Sequence, residues 1–112
     1  MSSINFSDFQ KIDMRVGTII RVKDFIEAIK PAFQLKIDLG KEIGIKQSSA
    51  QITDLYSKQD LIGKKVIVVV NLLPQKIGSF ISECLITGFY RKDGLVVLAA
   101  PDKEVDNGSR LV

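Results

Sequence analysis

Several stretches of the chain alternate between apolar and polar residues with a period of two. In "MRVGTIIRVKDF", Met14, Val16, Thr18, Ile20 and Val22 share one side, and Arg15, Gly17, Ile19, Arg21 and Lys23 share the other. The pattern predicts a strand that buries the first set and wets most of the second. Phe33, Leu35, Ile37 and Leu39 alternate with Gln34, Lys36 and Asp38 in the same way. Gly40-Lys41 then makes a turn, and a third strand starts over residues 42–47. One wet face per strand favours an antiparallel sheet. "KVIVVVNLL" does not alternate, so residues 66–70 read as an interior strand covered on both faces. "QKIGSF" is a long turn or hairpin arm, and "SECLITGFY" and "LVVLAA" are two more strands around a Lys92-Asp93-Gly94 turn. The polar loop "PDKEVDNG" follows, and the last residues run back along the sheet.

Helix signals are short. Ser7 and Gln10 have the capping-box spacing, which opens a helix over residues 8–12. Ser48 and Gln51 repeat it, predicting a short helix from Ser48 toward Tyr56. A second helical piece includes residues 60–62 and stops at Gly63. The order fits an all-β fold: a five-stranded Greek-key OB-fold barrel with a short helix between strands 3 and 4 and short terminal extensions. A small β-sandwich is the rival architecture. Without repeats or low-complexity segments, residues 1–112 read as one domain with a core over about residues 9–111.

Composition bounds the chemistry. The 46% hydrophobic content of 112 residues can build a real but small core. Ile4, Phe6 and Phe9 on the N-terminal segment gain by burial in a second copy, so a homodimer is expected. Cys84 is the only cysteine, which excludes an internal disulfide and makes a cytoplasmic home the simplest. No apolar run approaches membrane-spanning length, so no membrane insertion is expected. The chain has no histidine, so histidine-based nucleophile systems are absent and a zinc site lacks ligands. Phosphate-loop, dinucleotide and EF-hand patterns are missing too. The expectation is a binding protein without cofactor or catalysis.

The net charge of +3 permits nucleic-acid binding without announcing it. Residues 58–92 carry six Lys/Arg against Asp60 and Glu83. Arg15, Arg21 and Lys23 share a strand face, and pairing with the next strand would add Lys36 to form a phosphate-binding patch. Ordinary solubility is the competing explanation. Tyr56, Phe80, Phe89 and Tyr90 are the candidates for base stacking; so few suit backbone recognition of a folded RNA better than single-strand reading. Phe6 and Phe9 with Phe80 and Ile81 could instead form an apolar contact surface for polypeptide.

Four segments carry a resemblance: "DMRVGTI", "IDLGKEIGIKQSSAQIT", "LIGKKVIVVVNLLPQKIGSFISECLITG" and "VVLAAPDKEVDNGSRL". Together they resemble the CsaA-type branch of the tRNA-binding domain family. That family also contains dimeric free-standing tRNA-binding proteins and the appended domain of some methionyl-tRNA synthetases. The resemblance implies an OB-fold, a homodimer, and binding to the outside of tRNA without chemistry. For the CsaA-type branch it further implies protein-secretion chaperoning, in which unfolded or exported polypeptides are held. With the basic face added, the implied nucleic-acid contacts are Arg15, Arg21, Lys36, Lys46, Gln47, Ser49, Gln51, Asn71, Lys76 and Ser82. The implied polypeptide contacts are Ser48, Phe80, Ile81 and Glu83. Synthetase-type domains read serine–small residue–methionine where this chain has Ser82-Glu83-Cys84-Leu85, which places it in the CsaA-type branch.

Overall fold

The computed structural model describes residues Met1–Val112. Along the chain run α1 (Phe6–Gln10), β1 (Met14–Asp24), β2 (Phe33–Asp38), α2 (Gly40–Ile43), β3 (Ile45–Ala50) and α3 (Lys58–Leu61). They are followed by β4 (Lys65–Val69), β5 (Gln75–Ile77), β6 (Phe80–Ser82), β7 (Leu85–Ile86), β8 (Gly88–Tyr90) and β9 (Val96–Leu98). Five strands form an antiparallel sheet in the order β3-β2-β1-β4-β7. The sheet curls until its ends meet, where the Glu83 N–H donates to Gln47 O at 2.8 Å. This nearly closed barrel, with α3 between β3 and β4, is the expected OB-like architecture. Two hairpins, β5–β6 and β8–β9, project from it.

The core fills the barrel with Ile19, Leu35, Ile37, Leu39, Leu61, Val66 and Val68, all essentially inaccessible. β4 is interior as expected: Val66 and Val68 face the core, and Val69 is buried on the other side. The C-terminal segment returns along β1, with Val16 N–H donating to Ser109 O at 2.9 Å and Leu111 N–H to Met14 O at 2.8 Å.

The facing of β1 differs from the alternation. A bulge between Ile19 and Arg21 inserts one residue against β2 and inverts the pattern downstream. Upstream of the bulge Gly17 and Ile19 face inward, and Ile19 is fully buried while Ile20 is 43% exposed. Gly17 is paired with Val66, where a Cβ would lie 2.6 Å from Ile37 Cγ2. Of the apolar side read from the sequence, Val16 is buried on the opposite face from that row, and only Val22, opposite Leu35, packs against the core cluster.

The helices shift as well. α1 begins after Asn5, whose N–H donates to Asp8 Oδ2 at 3.3 Å, so Asn5 and Asp8 form the capping box that Ser7 and Gln10 were expected to supply. No helix starts at Ser48. β3 runs through it to Ala50, because the six-residue ladder with β2 satisfies the backbone there. The capping box belongs to Ser57 and Asp60, which open α3. Between β2 and β3, α2 replaces the simple turn. Gly40 makes this possible with φ +90°, and its N–H is held by Asp38 Oδ1 at 3.0 Å. "SECLITGFY" is broken into the ends of β6, β7 and β8 rather than forming one strand.

Candidate functional site

The stretch Gln47–Ser49 meets the end of the β5–β6 hairpin in a hydrogen-bonded seam. Gln47 N–H donates to Glu83 Oε1 at 3.1 Å, and Gln47 Nε2 donates to Ile81 O at 2.8 Å. Ser49 N–H donates to Ser82 Oγ at 3.2 Å. The fold thus brings Gln47, Ser49, Ile81, Ser82 and Glu83 together, but their polar groups join the barrel ends to each other. Cys84 lies behind the seam. Its burial, reinforced by the Glu83 carboxylate and opposed by Lys46, pushes the thiol up to about 12, so it stays protonated and unreactive at neutral pH.

Strand alternation splits the rest of this stretch. Lys46 and Ser48 lie on the opposite face of β3 from Gln47 and Ser49, in the rows of Ile37 and Leu35. Ser48 has no accessible surface, and its hydroxyl donates to Ser49 O at 3.2 Å, so it cannot touch a polypeptide. Phe80 is half-buried against Phe25, with ring centroids 5.2 Å apart; of the four residues expected to meet polypeptide, only Ile81 is exposed.

A basic row does form on the outer face. Arg21 of β1 stands opposite Lys36 of β2, which stands opposite Gln47 of β3. The next row is Lys23, Gln34 and Ser49. Arg21, Lys23 and Lys36 are exposed and none makes an ion pair. Arg15 does not join them. The bulge leaves it on the inward rows, where Nε donates to Asp13 Oδ1 at 2.6 Å and Nη1 to Gly108 O at 3.0 Å. The hydrogen bond from Arg15 holds the Asp13 carboxyl below the usual carboxylate range, against the pull of desolvation and with help from Arg110.

Asn71 lies apart from Gln47 in the bonding pattern. Its side chain accepts from Asp13 N–H at 2.9 Å and donates to Lys11 O at 2.6 Å, so it clasps the chain after α1. Lys76 is exposed on β5, opposite Ile81.

Gln51 is exposed and has a different setting, missed because residues 48–56 read as helix. It borders two adjoining cavities of about 760 and 530 Å³, which also share Lys30, Ser49 and Ala50. The larger lies between residues 49–55 and the β8–β9 hairpin, and the smaller lies under the loop that joins β1 to β2. That loop touches the β5–β6 hairpin, where Ser79 Oγ donates to Glu27 Oε1 at 2.6 Å. In OB-folds ligands meet the faces of the second and third strands and these two loops. The basic row and the smaller cavity occupy that region, and the larger cavity adjoins it at Lys30, Pro31 and residues 49–51.

Residues 14–110 match the family described as "Putative tRNA binding domain". The chain belongs to this tRNA-binding domain family. Two solved proteins of similar structure are CsaA chaperones. The one from Picrophilus torridus is 52% identical, with a TM-score of 0.93 over 98% of this chain and 100% of that one. The one from Bacillus anthracis is 44% identical, with a TM-score of 0.93 over 99% and 100% of the two chains. Among curated relatives, the methionine–tRNA ligase of Methanocaldococcus jannaschii is 38% identical over 111 residues, which are 99% of this chain and 17% of the ligase. The chain therefore spans only about a sixth of that relative's length. In this tRNA-binding domain no group of His, Cys, Asp and Glu is arranged to hold a metal ion, and no helix is long and apolar enough to cross a membrane.

Proposed function

We propose that this protein binds folded tRNA without catalysis, through the outer face of β1 and β2 and the loops above it. The observation that carries the reading is Arg21 beside Lys36 in register, with Lys23 one row further and no acidic partner for any of them. Unneutralised cations on a strand face suit phosphates, which release counterions on binding. Membership of the family supports the same partner. Of the contacts expected from the sequence, Arg21, Lys36, Lys76 and Gln51 have free, exposed side chains for this role. Gln47, Ser49 and Ser82 contribute by fixing the surface. Titrating labelled tRNA at several salt concentrations tests the reading. Affinity should fall as salt rises, and R21E/K36E should flatten the log–log slope by about 1.5, the loss of two phosphate contacts. Wild-type protein that does not bind at low salt would refute it.

A second activity, holding unfolded polypeptide, is favoured by apolar side chains the fold leaves in solvent. Ile26 and Ile29 on the β1–β2 loop are 92% and 103% exposed. The similarity to CsaA chaperones supports it. I26S/I29S should abolish suppression of aggregation of a denatured test protein while leaving the salt dependence of tRNA binding unchanged, because neither residue is charged. Undiminished suppression would remove these residues from the activity. The exposed Phe6 and Leu73 give the chain a surface for a second copy, so we also assign it as a homodimer, most simply in the cytoplasm.

A further inference from the structure

We infer that the larger cavity receives one unstacked nucleobase of the bound RNA, stacked on Tyr90. The inference rests on the tRNA reading above and adds a base-reading subsite to it. The volume of about 760 Å³ falls in the range of small-ligand sites. Its floor is apolar, with the buried Ile52, Ile86 and Leu98. Tyr90 stands on β8 at its edge and is 85% exposed. It makes no hydrogen bond within the chain, unlike Tyr56, whose hydroxyl accepts from Leu98 N–H at 3.1 Å. An aromatic ring left this free presents a face on which any base can stack.

The opposite wall supplies edge recognition. Gln51, Thr53 and Asp54 border the cavity, and their side chains have no partner in the chain, whereas Thr87 nearby is held by Ile67 O at 2.7 Å. An amide, a hydroxyl and a carboxylate can together bond the donors and acceptors of a base edge. An apolar peptide side chain in the same place would strip water from these groups and return no hydrogen bond. That difference favours a base over polypeptide.

The charge is placed to match. Lys30 borders both cavities, is exposed and forms no ion pair, so it is free for the phosphate of the inserted nucleotide. Ser49 borders both cavities and lies in the row of Gln34 and Lys23. The cavity edge is thus two strand spacings, about 10 Å, from the basic face. RNA held on Arg21, Lys23 and Lys36 can reach the cavity with a single-stranded tip.

The test uses the full chain, labelled tRNA, and unlabelled single-stranded tetranucleotides of each base as competitors. Tyr90→Ala should weaken tRNA binding about tenfold, the contribution of one stacked base, without changing the salt slope. Tyr90→Phe should restore it, because the ring and not the hydroxyl is required. Asp54→Asn should change which tetranucleotide competes best. Tyr90 is exposed, so unchanged thermal unfolding will show that the variants fold. If wild-type protein binds tRNA with the expected salt dependence and Tyr90→Ala binds equally well, the subsite is refuted and the phosphate reading stands. If Tyr90→Ala loses only the capture of an apolar peptide, the cavity is a polypeptide site and the inference falls. If wild-type protein shows no binding at low salt, the tRNA reading itself fails.

Discussion

Substituting Gly17 by alanine would place a Cβ 2.6 Å from Ile37 Cγ2 and 2.8 Å from Leu39 Cδ2. Both neighbours belong to the packed barrel interior and have little room to move, so Gly17→Ala should cost about 1–3 kcal/mol in denaturant unfolding. Asp13 is tested by pH. Its folded pKa lies below the ordinary carboxylate value of about 3.9, so its contribution is fully present above that value. The contribution disappears as pH falls through the lowered folded pKa. Asp13→Asn should therefore be less stable than wild type at pH 7, and the gap in urea midpoint should narrow as the solution is acidified below about pH 4. The thiol of Cys84 gives a third readout. With its pKa near 12 and its side chain buried, it should resist an aromatic disulfide reagent at pH 8 in native protein and react at once in denaturant.

At the scale of elements, the seam between β3 and the β5–β6 hairpin decides whether the barrel closes. Its bonds are few and join segments more than thirty residues apart in sequence. Ser82→Ala removes the acceptor of Ser49 N–H and should cost about 0.5–1.5 kcal/mol. Amide exchange at Ser49 and Glu83 should speed up more than at Val66 or Val68, which lie in the central strand β4. A redistribution of that kind separates local opening of the seam from global loss of stability. The same seam explains a difference between pattern and structure. Ser48 and Gln51 carry a capping-box spacing, yet Ser48 sits in a strand because β2 offers a complete ladder on one side and the hairpin binds the other edge. A local signal worth about 1 kcal/mol cannot compete with that pairing. The bulge after Ile19 acts similarly. It turns Arg15 away from Arg21, so one basic face in the alternation became an ion pair with Asp13 and a separate exposed row.

At the scale of the whole molecule, the barrel brings together parts that the chain keeps far apart. Lys23 and Ser49 share a row, and Lys30 and Tyr90 border one cavity. If the molecule is a homodimer built on its exposed apolar surface, sedimentation should give twice the monomer mass at micromolar concentration. Leu73→Glu would then shift the population toward monomer, because a charge would be buried at the interface. Retention of tRNA affinity by that variant would place the nucleic-acid face away from the two-fold contact.

The sequence alone determined the strand-rich architecture, the interior position of β4, the hairpins and the lack of histidine chemistry, because alternation, apolar runs and composition are local properties. It also supplied the motifs of the tRNA-binding family. Only the tertiary structure decided which side of β1 faces inward, that Ser48 is sealed in the core, and that Gln47 pairs with Glu83 and Ser49 with Ser82. It alone assembled the cavity beside Gln51 and Tyr90. Register, bulges and hydrogen-bond partners are set by segments distant in the chain, and a pattern with a period of two carries no record of which edge another strand will occupy.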